Sequence, residues 1–215
     1  MLRKLICGLG AVILLATAAP VAMAASKIRI ATPTGNDAYS HLVARAEADD
    51  MTVDFSALRH AWLDSAARKH RASIEMLTRD LNSAVSSGKD TQVRDTAERI
   101  LAIDYTDLMA HLRLRQACAA LHDDECANHF HFTEFGLLNS ITTGHDGKSF
   151  ATAWPVISLD EEYFMMGVAG MSLQTQSLVT DGGRSYDRMA VKMQDGSTAT
   201  YYFDISAFFG IHEFD

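Results

Sequence analysis

The 215-residue sequence has no Gly-x-Ser-x-Gly motif, no glycine-rich phosphate loop and no His-Glu-x-x-His run. Those patterns mark serine hydrolases, nucleotide-binding enzymes and zinc peptidases, so no single motif names a reaction. Basic residues are scarce as well, with 19 Lys and Arg against 27 Asp and Glu. Such a field repels nucleic acid and anionic lipid, and neither is an expected partner. Beyond the N-terminus no apolar run approaches the roughly 20 residues that cross a bilayer, so no membrane span is expected there. Cysteine occurs only three times, at Cys7, Cys118 and Cys126.

What is present begins with a leader. Arg3 and Lys4 precede an apolar run from Leu5 to Ala19, followed by small residues at Ala22 and Ala24, the pattern of a secretory signal cleaved between Ala24 and Ala25. Cys7 opens the apolar run instead of ending it, which argues against a lipid anchor. Removing residues 1–24 leaves 191 residues with 17 basic and 27 acidic side chains, a net charge of −10. That length suits one sizeable core or two small units sharing one. The expected location is periplasmic or secreted, an oxidising setting in which the two remaining cysteines become candidates for a disulfide.

Residues 25–141 have helical spacing, and six helices are expected between Asn36 and about Ser140. The first covers about Ala38 to Ala48. The second starts behind Asp54 as its cap and carries Phe55, Leu58, Ala61, Trp62 and Ser65 on one face. A third helix, with Ile74, Leu77, Leu81 and Val85, ends at Gly88, and a fourth buries Val93, Ala97, Ile100 and Leu101. Sliding the chain by about 34 residues, the tetratricopeptide spacing, lays Ser87-Gly88-Lys89-Asp90 over Leu121-His122-Asp123-Asp124. The two hairpins thus turn at the same phase. Cys118 and Cys126 flank the second turn at mirrored distances, which predicts a disulfide across that hairpin.

Residues 142–215 change character. After the turn cluster Thr143-Gly144-His145-Asp146-Gly147, strands are expected near Trp154–Leu159, Glu162–Gly167, Ser172–Thr180, Asp187–Gln194 and Ala199–Ile205. Asp181-Gly182-Gly183 and Asp195-Gly196 are the connecting turns. The predicted class is α+β: tetratricopeptide-like antiparallel helical hairpins packed on a small antiparallel sheet of about five strands and sharing its core. Gly136, Leu137, Leu138 and Ile141 are expected to supply the helical side of that contact.

Chemistry-bearing groups gather where helix gives way to strand: His129, His131, Glu134, His145, Asp146, Glu161 and Glu162. On a helix His129 and His131 point about 200° apart and cannot share an ion, whereas Glu125 with His129, and His131 with Glu134, lie on common faces. Solvated helix-face pairs and a core histidine account for these spacings, and no metal or cofactor is expected. If Glu162 starts a strand, one of Asp160, Glu161 and Glu162 points into the seam, where His111 or His131 would meet it. A buried carboxylate–imidazole pair serves acid–base catalysis, yet it also satisfies a polar contact between layers, and no nucleophile or oxyanion motif accompanies it.

Several pieces in this order resemble one family. They are Thr52-Val53-Asp54-Phe55 with Leu58-Arg59, Asp107-Leu108-Met109-Ala110-His111, Gly136-Leu137-Leu138-Asn139-Ser140-Ile141, Asp146-Gly147-Lys148-Ser149, Glu161-Glu162-Tyr163, Gln176-Ser177-Leu178, Tyr186-Asp187 and Tyr202-Phe203-Asp204. Together they are similar to DUF 4919, a bacterial secreted family with a signal peptide and no assigned activity. The resemblance covers nearly all of the chain after the leader and implies His111, Glu161, Glu162, Tyr163, Tyr186 and Asp187 as residues to test. The chain departs from the pattern in placing His145 inside the glycine turn, and His129-Phe130-His131 leaves open which histidine matches the family's single one.

The functional expectation is an exported binding or scaffold protein of the cell envelope. A helical-repeat groove would accept a protein or peptide segment, basic or neutral given the acidic surface. The alternative is a metal-assisted hydrolase in which His111, His131, Glu161 and Glu162 converge at the seam, and the plainest reading is an envelope accessory with no small ligand.

Overall fold

A computed structural model describes residues 28–31, 33 and 35–210, so the leader and its cleavage point lie outside the described residues. Among these residues seven α-helices and a four-stranded sheet make an α+β protein. The helices are α1 (Ala38–Glu47), α2 (Phe55–Leu63), α3 (Ala72–Ser86), α4 (Asp90–Leu101), α5 (Leu108–Ala120), α6 (Asp124–Thr142) and α7 (Leu159–Val168). The strands are β1 (Trp154–Pro155), β2 (Ser172–Asp181), β3 (Arg184–Lys192) and β4 (Thr198–Asp204). Among the described residues no helix is long and apolar enough to cross a membrane.

Short polar side chains start the helices. Asp37, Asp54, Asp107 and Asp123 each accept a hydrogen bond from a backbone N–H two or three residues inside α1, α2, α5 and α6. From α3 to α6 each helix packs on the next, and α2 returns to lie on α6. The α3–α4 and α5–α6 turns are built alike. Gly88 (φ 61°) and His122 (φ 59°) hold the left-handed position, while Lys89 N–H donates to the Ala84 carbonyl at 3.1 Å and Asp123 N–H to the Cys118 carbonyl at 2.9 Å. Every one of these positions recurs after the same interval, which is why the hairpins turn in phase. Cys118 and Cys126 are joined in a disulfide with Cα atoms 5.7 Å apart, closing a loop that the chain-entropy account values at about 2–3 kcal/mol.

The sheet has the order β1-β4-β3-β2 and is mixed, because β1 runs parallel to β4 while the β2–β3 and β3–β4 pairs are antiparallel. Gly182 (φ 56°) and Gly183 (φ 80°) form the two-residue connection between β2 and β3, which only glycine adopts without strain. Two strand expectations need correction. The first, Trp154–Leu159, contracts to the two residues of β1, and the second, Glu162–Gly167, lies within α7.

That helix has a visible start. The Ser158 hydroxyl accepts from Glu161 N–H at 3.2 Å, and Asp160, Glu161 and Glu162 occupy the first turn, where the helix dipole favours negative charge. Phe164, Met165 and Met166 are all buried, so α7 is covered on more than one side and lacks a clean apolar stripe. Gly136 also faces elsewhere than expected. A Cβ at this position would collide with the Phe55 ring, so it sets the close approach of α6 to α2, while the sheet-side contact of α6 is with β1.

Candidate functional site

Two neighbouring carboxylates on α7 are buried in contrasting surroundings. Glu161 meets Arg59 of α2 in a two-pronged ion pair, with Arg59 Nε to Glu161 Oε1 at 2.7 Å and Nη2 to Oε2 at 2.6 Å. Arg59 is fully buried and also donates to the Pro155 carbonyl at 2.7 Å and to the Ser140 hydroxyl at 3.2 Å, while Ile157 N–H donates to Glu161 Oε2 at 2.8 Å. One guanidinium thus ties α2, α6, β1 and α7 together. Residues 55, 58, 59 and 62 fall on one helical stripe, and this placed an arginine among apolar side chains. A charge on that stripe was the signal that sequence reasoning missed.

Glu162 is fully buried and neither of its oxygens receives a hydrogen bond. Burial, followed by the adjacent Asp187 carboxylate of β3 and then by Glu161, raises its pKa to about 9. Glu162 is therefore neutral at pH 7, and its proton has Asp187 as acceptor. Gln176 Nε2 of β2 donates to Asp187 Oδ2 at 2.6 Å. The regular register set by the β2–β3 turn pairs Gln176 with Met189 and Leu178 with Asp187, and it is interrupted only beyond them, between Leu173 and Thr175. Asp187 forms one wall of a cleft of about 300 Å³ whose other walls are Leu159, Leu178, Ile205, Phe208 and Phe209.

The other predicted residues lie apart from this pair. Tyr186, next to Asp187, is buried with its ring against Phe150, and Tyr163 is 52% exposed on α7. His111 is buried in α5, where Nε2–H donates to the Tyr105 carbonyl at 2.8 Å and desolvation lowers its pKa to about 4. His131 is exposed on α6, its ring 6.1 Å from that of Phe135. The histidines and the α7 carboxylates thus occupy three separate places. Glu134, expected beside His131, pairs with Arg115 at 2.6 Å.

His129 belongs to a third cluster, buried on one side and open on the other. Its ring nitrogens lie 3.2 Å from Glu47 and 2.6 Å from Asp49, and the Arg29 guanidinium contacts the same ring and holds Asp49 at 2.7 Å. Glu47 also accepts from Tyr105 Oη at 2.6 Å and from Ile30 N–H at 2.8 Å. Burial and the Glu47 charge push the Tyr105 hydroxyl well above its ordinary pKa. These partners come from the segment before α1, from α1 and from the α4–α5 link, so helical spacing around His129 did not reveal them. Among the described residues no group of three or more His, Cys, Asp or Glu is arranged to hold a metal ion.

An open groove runs between α2 and α6. Met51, Val53, Phe55, Phe132, Phe135 and Gly136 line it, in a volume of about 580 Å³. Met51 is 77% and Phe135 55% exposed, and Asp54 is the one charged residue on its wall.

Neither a curated protein nor a solved structure matches the chain. One family model does, described as "Domain of unknown function (DUF4919)" and matching residues 26–213. Since that match takes in most of the sequence, the protein belongs to the DUF4919 family.

Proposed function

We propose that the protein is an exported binding protein of the bacterial cell envelope, and that its α2–α6 groove holds an apolar peptide segment with basic or uncharged flanks. The groove itself carries this reading: an exposed methionine and phenylalanine border a channel floored by Phe55 and Gly136. Aromatic and methionine side chains left in water beside a concavity are characteristic of recognition surfaces. The charge preference follows from Asp54 on the wall and from the acidic balance of the chain. In-phase helical hairpins, of the kind that tetratricopeptide-like arrays stack into binding surfaces, agree with this role. Export is supported by the leader pattern and by the Cys118–Cys126 bond, which persists in an oxidising compartment. The hydrolase reading needs His111 and His131 to meet Glu161 and Glu162, and no such convergence supports it.

The test uses two labelled peptides with the same apolar residues, one flanked by lysines and one by glutamates. The lysine-flanked peptide is expected to saturate the protein and to bind about tenfold more tightly, a difference of ~1.4 kcal/mol. Phe135→Asp is expected to weaken it by at least as much, with the fold unchanged by circular dichroism. Absence of saturation by either peptide, or equal binding by Phe135→Asp, overturns the proposal.

A further inference from the structure

We infer that Asp187 and Glu162, with the apolar cleft beside them, form a second binding site that accepts an organic ammonium ion carried on an apolar body. Three independent features converge here. The cleft has an aromatic and aliphatic lining, with Leu178 and Phe209 about half exposed, and a volume of about 300 Å³ that suits one ring or a short alkyl chain. Its one charged wall is the Asp187 carboxylate, held at one oxygen by Gln176. Behind that wall lies Glu162, fully buried and without a donor at either oxygen.

Among the described residues no cation neutralises this pair. The ionisable groups that act on Glu162 are Asp187 from β3 and Glu161 from its own helix, and Arg59 is already committed to Glu161. Of the cations on β3, Arg184 is held by Asp204, and Arg188 and Lys192 are exposed to solvent. A buried carboxyl pair with a single shared proton is a poor structural choice, because an apolar replacement or an added cation would relieve it. An entering ammonium supplies the missing positive charge and the missing donors together, while its apolar body covers the cleft. Glu162 then ionises and gives its proton to bulk solvent, and no bond of the ligand changes. The ammonium belongs either to a small amine or to a lysine side chain of a peptide, two sources of the same chemistry.

The experiment is an NMR and calorimetric titration of the full-length protein with 3-phenylpropylamine, with 3-phenylpropanol as the neutral control and with the acetyl-Phe-Lys-amide dipeptide as the peptide arm. The amine is expected to saturate, with shifts centred on β3 and α7. It should tighten by up to about tenfold per pH unit between pH 7 and 9, since proton release is coupled to binding while the amine itself stays charged. Calorimetry in buffers of different ionisation enthalpy should find close to one proton released. Asp187→Asn is expected to abolish binding and Glu162→Gln to remove the pH dependence. Leu178→Trp, which fills the cleft and leaves both carboxyls in place, is expected to block entry in a protein that folds as the parent does. Tighter binding of the dipeptide assigns the site to a peptide lysine, and tighter binding of the amine to a small molecule. No saturation by either cation, equal binding of the alcohol, or undiminished binding by both Asp187→Asn and Leu178→Trp overturns the inference.

Discussion

Glu161 and Glu162 are consecutive residues on one helix turn, both buried, and they have opposite electrostatic fates. Glu161 is met by Arg59, the Ile157 N–H and, through Arg59, the Ser140 hydroxyl and Pro155 carbonyl, so a charge in the interior has donors on every side. Glu162 is met by another carboxyl and by no donor. The first arrangement fastens four elements together. The second has no structural reward, and unexplained carboxyl pairs of this kind concentrate at functional sites. Burial alone therefore does not distinguish a structural carboxylate from a functional one, whereas the count of donors does.

The largest effect tests the structural half. Arg59→Met leaves Glu161 buried without its partner, and urea unfolding should find it about 3–5 kcal/mol less stable than the parent. A loss under about 1 kcal/mol would erase the contrast between the two sites.

The next effect concerns pH. The folded pKa of Glu162, about 9, lies above the ordinary 4.5, so between these values the unfolded chain releases a proton that the folded chain keeps. Its contribution to stability therefore falls as pH rises from about 4.5 to 9. Asp104 and Asp107, raised chiefly by burial to about 7 and about 6, act in the same direction at lower pH. His111, lowered to about 4, acts in the opposite sense, costing stability as pH falls below 6.5. Above pH 7 the slope thus belongs mainly to Glu162. Glu162→Gln, whose amide can donate to Asp187, should flatten the pH 7–9 slope and stabilise the protein at pH 8 by about 1–3 kcal/mol. An unchanged slope in denaturation at pH 7, 8 and 9 would remove the distinction.

The smallest effect extends the contrast to Glu47. This carboxylate, like Glu161, is well supplied with donors, from Tyr105, the Ile30 N–H and the His129 ring. Tyr105→Phe removes one of several and should cost about 1–2 kcal/mol by thermal or urea unfolding. A cost as large as that of Arg59→Met would place Glu47 beside Glu161 as a principal structural tie.

Much of the helical half could be read from spacing. Apolar residues recurring at three and four located α1 to α6, the glycine at 88 and the turn at 122 set the repeat, and mirrored positions around that turn predicted the disulfide. The sheet half was less legible. Strong hairpin turns mark β2, β3 and β4, but the pattern at α7 predicts a strand because a helix covered on several sides shows no stripe, even though Ser158 and Glu161 have capping-box spacing. Of the candidate residues, Glu162 and Asp187 come together, Tyr186 is beside them in sequence but turned toward Phe150, and His111 and His131 stand elsewhere.

Local chemistry is written in the order of residues, so the sequence by itself determined α1 to α6 and their turns, the cysteine staple and the α+β class. Which charges would face each other was decided by tertiary structure. Arg59 and Glu161 are 102 positions apart, and Gln176 reaches Asp187 across the pairing of two different strands. The reason is that a side chain's direction follows from its own element, whereas its partner depends on how distant elements pack, and no short-range pattern records that.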